Sequence, residues 1–113
     1  MNVTVTSGQG YKMARIEGSI DESGKALFDE LLHPLIETPG SHLLLDLSDA
    51  ERITSMGVGL LVTLVSRANT KGSRVVLAAA TPFVSSIFRV TRLTRFFDLA
   101  DTLDEGVALL HKG

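Results

Sequence analysis

Leu43 to Leu47 is apolar at every position except Asp46. A strand exposed on one face alternates apolar and polar residues, whereas a strand apolar throughout has both faces covered. Strands of the second kind belong to the middle of a parallel sheet. Such a strand needs neighbouring strands and crossover helices, so it points to an α/β domain. The polar stretch from Ser48 to Met56 then reads as a loop. Helical periodicity starts at Gly57 and runs to about Lys71, where Lys71-Gly72 provides a cation and a stop. Leu61, Leu64, Val65 and Ala68 share a core-facing stripe of this helix, with Val58 and Val62 on an adjoining strip.

The remaining segments supply the neighbours. Val3 to Thr6 and Tyr11 to Glu17 read as two strands joined by Ser7-Gly8-Gln9-Gly10 in an antiparallel hairpin. Ala14 and Ile16 fall on one face of the second strand, and Tyr11, Met13 and Arg15 on the other. Gly18-Ser19-Ile20-Asp21 ends that strand and offers Ser19 or Asp21 as a helix N-cap. A helix follows from about Glu22 to Glu37, with Leu27, Leu31, Leu35, Phe28, Leu32 and Ile36 in a wide apolar stripe. Pro34 should kink it or end it early. Arg74 to Ala80 reads as another buried strand. Pro82 opens a helix to about Thr91 that is expected to turn Phe83, Ile87 and Val90 inward. Phe96 to Leu99 is a short extended piece, and Thr102 to about His111 a last helix with Leu103, Val107 and Leu110 on one side. The expectation is one α/β domain across residues 1–113, a mixed four- to five-stranded sheet flanked by about four helices.

Several functional classes lose support. A net charge of −2 provides no basic field for nucleic acid. Absence of cysteine removes disulfides, thiolate metal sites and a cysteine nucleophile, and fits a reducing cytoplasm. The N-terminus lacks the features of a signal peptide, and the apolar runs are far too short to enter a membrane. A cytoplasmic location is therefore expected. His33, His42 and His111 lie on separate elements without ligand spacing, which leaves them solvated or at helix ends. No nucleophile elbow or nucleotide loop is present. The chain is expected to be neither an enzyme nor a cofactor binder.

Thr54 and Ser55 stand immediately before the glycine-opened helix. Ser55 has two readings: a helix cap accepting a backbone N–H, or a phosphorylation site whose added charge meets open N–H groups and the positive end of the dipole. Thr54 is a second hydroxyl, either finishing the loop or a lesser acceptor. Gly57 and Gly59 suit close packing of the helix start on the sheet. Met56 is a flexible apolar contact beside them, and Val58 extends it. Asp46 reads as structural, and Asp49 and Glu51 as solvated. Arg89, Arg92 and Arg95 straddle a helix end, where they either complement its dipole or form a basic patch for an acidic partner.

Asp46-Leu47-Ser48, followed by Ile53-Thr54-Ser55-Met56-Gly57-Val58-Gly59-Leu60-Leu61, resembles the STAS family of anti-anti-sigma factors and their relatives. Gly18-Ser19-Ile20-Asp21, Lys71-Gly72-Ser73-Arg74-Val75-Val76-Leu77 and Val90-Thr91-Arg92-Leu93-Thr94-Arg95-Phe96-Phe97 are similar to further segments of that family, in order along the chain. The resemblance implies a non-enzymatic antagonist that binds a serine-kinase anti-sigma factor and is inactivated by phosphorylation, with a serine phosphatase as a further partner. It places the acceptor on Ser55 and the partner surface on Asp21, Thr54, Ser55, Met56, Gly57, Val58 and Arg92. The family commonly has Asp at Thr54 and Gly at Arg92. An unphosphorylated scaffold or accessory subunit of an ATPase or transporter complex is the alternative. Oligomeric state is not fixed by these residues.

Overall fold

The computed structural model describes residues 1–112. Five strands form one sheet in sequential order: β1 (Asn2–Ser7), β2 (Lys12–Ile20), β3 (His42–Ile53), β4 (Arg74–Ala78) and β5 (Asp98–Ala100). Only β1 and β2 pair antiparallel; the other neighbours are parallel. A helical segment α1 (residues 22–36) links β2 to β3, α2 (Ser55–Lys71) links β3 to β4, and α3 (Pro82–Val90) links β4 to β5, while α4 (Leu103–Leu110) ends the fold. The fold class read from the sequence is therefore the one observed, with five strands and four helical segments.

Alternation along β3 explains the layers. Leu43, Leu45 and Leu47 face a core completed by Phe28, Leu32 and Ile36 of α1, Leu61, Leu64, Val65 and Ala68 of α2, and Val84 and Phe88 of α3. Leu44 faces the other way, with Val76, Ala78 and Leu110, beneath α4. Successive parallel strands joined through helices put α1, α2 and α3 on one face. Consequently the helix N-termini gather at the carboxyl ends of the strands, and this end carries the candidate site.

The structure corrects four local expectations. β3 does not stop at Leu47 but continues to Ile53, because β2 also runs on to Ile20 beside it. Two register irregularities, one after Arg15 and one after Gly18, accommodate this extension, and Gly18 adopts φ +85° at the second. Of Phe83, Ile87 and Val90 only Ile87 packs, half-buried, against the core; Val84 and Phe88 are the buried face of α3, with Phe88 edge-on to buried Phe97 at 5.1 Å. Leu31 is exposed while Phe28, Leu32 and Ile36 carry the α1 contact. The Pro34 effect is as expected: α1 widens to a π turn over Phe28–Leu32 and ends as a 3-10 turn over His33–Ile36.

The fourth correction concerns His33, which lies in the last turn of α1 as one of the two expectations has it, but is buried there and not solvated. Its Nδ1 has no hydrogen-bond partner among the described residues, and its Nε2 lies 3.9 Å from Asp29. Burial, then the Arg67 charge, holds its pKa below the ordinary value, against the opposing pull of Asp29 and Glu37. The neutral ring is thus the folded form, whereas the unfolded chain takes up a proton near pH 6.5. Stability from this residue is complete above that pH and falls as the solution is acidified toward the lower native pKa. Urea unfolding should show less stability at pH 5 than at pH 8, and His33→Leu should flatten this difference and raise stability at pH 5.

Arg92 is the other backbone finding. It sits at φ +60°, where its N–H donates to the Arg89 carbonyl and the Leu93 N–H donates to Phe88 at 2.8 Å. These two bonds form a Schellman end to α3, the position at which glycine is most at ease. Arg92→Gly should therefore stabilise the fold by about 1 kcal/mol, seen as a thermal midpoint a few degrees higher.

Candidate functional site

Three chain segments meet where β2 and β3 end. Ile20 and Ile53 are register partners, and the ladder extends one step further because the Thr54 N–H donates to the Ile20 carbonyl at 3.0 Å. Asp21 follows Ile20 directly, so the paired strand ends set Asp21 beside the Thr54–Ser55 corner. As the sequence suggests, Asp21 caps α1: its carboxylate accepts from the Ser23 N–H at 3.0 Å and from the Ser23 hydroxyl. Those bonds lower its pKa, so it carries negative charge here.

The residue capping α2 is Thr54, not Ser55. Thr54 is extended, and its hydroxyl accepts the Gly57 N–H at 3.2 Å. Ser55 is the first helical residue, exposed, and its hydroxyl makes no hydrogen bond among the described residues. This separates the two roles that the sequence left open for one side chain. With Val58 N–H donating to the Thr54 carbonyl and Gly57 N–H bound to the Thr54 hydroxyl, the Ser55 and Met56 N–H groups remain open at the positive end of a 17-residue helix. An anion on the Ser55 oxygen would meet favourable local charge.

The flanking residues divide clearly. Met56 is 62% exposed, and Val58 is half-buried beside it. Gly57 is buried: a Cβ there would lie 1.9 Å from the Ile20 carbonyl oxygen. Close packing thus explains Gly57 but not Gly59, where a Cβ would meet nothing within 4 Å. Arg92 is not part of this cluster. It follows the far end of α3, about 15 Å along the helix from Thr81 at 1.5 Å per residue. Asp46 is structural, accepting from the Ser48 N–H and hydroxyl, and Asp49 is ion-paired with Arg15.

Thr81 escaped the sequence reading of the site. It caps α3 by accepting the Val84 N–H, and its own hydroxyl donates to the Ala50 carbonyl of β3 at 3.2 Å, which anchors the second helix N-terminus to the same end of the sheet. The signal was present: a threonine followed by proline marks an N-cap before the first helical position. No cluster of His, Asp or Glu among the described residues could hold a metal ion, and no helix is long and apolar enough to cross a membrane.

The family profile of the STAS domain matches residues 2–106. The chain belongs to this family. Solved structures agree on the fold. An anti-sigma factor antagonist from Mycobacterium paratuberculosis aligns over 98% of this chain and 94% of its own, with 22% identity and a TM-score of 0.84. RsbS from Moorella thermoacetica, in a serine-to-glutamate variant, aligns over 97% and 95% with 25% identity and a TM-score of 0.80. A sulfate transporter family protein from Wolinella succinogenes aligns over 93% and 88% with 15% identity and a TM-score of 0.78. This STAS domain therefore shares one architecture with antagonists and with a transporter-family protein.

Proposed function

We propose that this STAS domain is an anti-sigma factor antagonist that binds a serine-kinase anti-sigma factor and is switched off when that kinase phosphorylates Ser55. The observation that carries this reading is the division of labour at the start of α2. Thr54 holds the helix, which leaves Ser55 exposed and free to be modified without loss of the cap. In the transfer, the Ser55 oxygen attacks the γ-phosphorus of ATP, ADP leaves, and the hydroxyl proton passes to a base on the kinase. The product carries roughly −1.5 to −2 charges. Open N–H groups and the helix dipole tolerate that charge, whereas a partner seated over Met56 and Val58 would have to bury it. A serine phosphatase would restore the Ser55 hydroxyl by hydrolysis, in which water attacks the phosphorus and inorganic phosphate leaves.

Thr54 in place of the family's usual aspartate fits the same scheme. Threonine and aspartate are both competent N-caps, so the substitution keeps the helix start and removes one negative charge next to the acceptor. The likeness to a sulfate transporter family protein supports a second reading, an accessory subunit that is never phosphorylated.

The deciding experiment incubates the protein with ATP and the serine-kinase anti-sigma factor of the same genome, then measures intact mass and maps the phosphosite beside Ser55→Ala. One phosphate on the native chain and none on the variant supports the switch. Stable binding without phosphate, or phosphate retained by Ser55→Ala, overturns Ser55 as its site.

A further inference from the structure

Helix α3 is apolar on two faces, and the core covers only one. Val84 and Phe88 are fully buried and Ile87 is half-buried against the same core, while Phe83 and Val90 carry the apolar line of Ile87 outward at helical spacing. Phe83 is 50% exposed and Val90 79% exposed, the latter the most exposed of the large apolar residues. The same stripe reads as a core face from sequence. Its outer part, Phe83 and Val90, has the chemistry of a buried surface but lies open among the described residues. A helix apolar on both sides is expected to be covered on both.

Charge around the stripe selects what could cover it. Arg89 lies in the last turn of α3, Arg92 terminates it in the left-handed conformation, and Arg95 follows in the turn beyond. All three are exposed, and none forms an ion pair among the described residues; other cations are also unpaired there, but these three are the ones that follow one another along the end of α3. The dipole of α3 accounts for a cation in its last turn, but Arg95 lies beyond the helix and its last-turn reach. Three unpaired guanidinium groups next to an apolar ridge match a ligand that has carboxylates next to apolar anchors.

We propose that the Phe83–Ile87–Val90 ridge with Arg89, Arg92 and Arg95 is a second docking surface, which takes an acidic amphipathic helix of a protein partner. A ridge spaced i, i+4, i+7 packs against the grooves of another helix at about 8–10 Å separation. Leucine-like anchors of the partner would cover Phe83, Val90 and the open edge of Ile87, and its carboxylates would pair with the arginines. The surface goes beyond the Ser55 switch, since its charged end lies at the opposite end of α3 from the Ser55 corner.

The test uses the 113-residue chain and two labelled synthetic helical peptides of about 18 residues, long enough to be helical. Each has leucines along one face; one carries glutamates on the flanks and the other lysines. Fluorescence anisotropy compares the wild type, Val90→Asp, and the triple variant Arg89→Glu, Arg92→Glu, Arg95→Glu, all checked for native thermal unfolding. Light scattering reports self-association. The proposal expects the glutamate peptide to bind the wild type at least about tenfold more tightly than it binds either variant, a difference of about 1.4 kcal/mol. The triple variant should prefer the lysine peptide. Equal binding of both peptides by the wild type, or binding unaffected by Val90→Asp, overturns it. So does dimerisation of the wild type that Val90→Asp abolishes, since a second copy would then be the occupant.

Discussion

Gly57→Ala is expected to lower unfolding stability by about 3 kcal/mol or more, although glycine-to-alanine changes inside helices ordinarily stabilise. The added methyl would stand 1.9 Å from the Ile20 carbonyl oxygen and 2.6 Å from its carbon. Both atoms are backbone, so no rotamer change relieves the contact. The same carbonyl accepts the Thr54 N–H at 3.0 Å, so moving it away breaks the last rung between β2 and β3. Moving α2 instead withdraws Leu61, Leu64, Val65 and Ala68 from the core. Either route costs more than the roughly 1 kcal/mol that alanine returns through helix propensity. Gly59→Ala is the built-in comparison: its methyl meets nothing within 4 Å, and it should raise stability by about 1 kcal/mol. Urea unfolding of the two variants beside the wild type decides the matter. A Gly57→Ala midpoint equal to that of Gly59→Ala would show that the contact is not rigid.

The two glycines illustrate what a sequence can and cannot reveal about this fold. The pattern Gly57-Val58-Gly59 suggests tight packing at both positions, but only tertiary structure shows that one faces Ile20 and the other faces solvent. Long periodic segments were legible, because β3 and α2 bury whole faces and their residue patterns record it. The extension of β3 to Ile53 was not. Ser48, Asp49, Glu51 and Arg52 are polar because the carboxyl end of β3 is partly exposed, with only Ala50 buried among them, and such polarity reads as a loop. In α3 the apolar pattern fits two faces, and periodicity cannot choose between them; the structure buries the face whose Phe88 meets Phe97 edge-on. His33 is buried at the junction of the π and 3-10 turns of α1, and a 3.6-residue periodicity does not record such a junction. At the site, Asp21 and the Thr54–Ser55 pair were visible as polar residues before helices. Which hydroxyl caps and which stays free depends on a one-residue helix boundary, and such boundaries are the least legible feature of a sequence. The two departures from the family pattern also gain a physical reading: Thr54 still caps, and Arg92 occupies a backbone position suited to glycine.

Phosphorylation of Ser55 is expected to weaken binding to the partner kinase by about 2–5 kcal/mol, some thirty-fold to several thousand-fold in Kd, while leaving the fold intact. The two halves of this prediction come from different atoms. The fold should survive because the Ser55 hydroxyl holds nothing that the phosphate would displace, and the cap belongs to Thr54. The phosphate also gains the open N–H groups at the start of α2 and its dipole, worth about 0.3–1 kcal/mol at an exposed helix end, against repulsion from the nearby charged Asp21. The phosphorylated form should therefore not melt below the unmodified protein by the few degrees that losing the Thr54 cap would cost. Affinity should fall because exposed Met56 and half-buried Val58 flank the modified oxygen, and a partner covering them must strip water from nearly two charges. Ser55→Ala should bind like the unmodified protein and lose less than about 0.5 kcal/mol of stability. Thr54→Ala should do the reverse, costing about 1 kcal/mol of stability through the lost cap while still offering Ser55 to the kinase. Calorimetric titration and thermal melts of the phosphorylated protein and these two variants separate the contributions. If phosphorylation lowers the melting point as much as Thr54→Ala does, the switch works by fraying α2 rather than by excluding the partner.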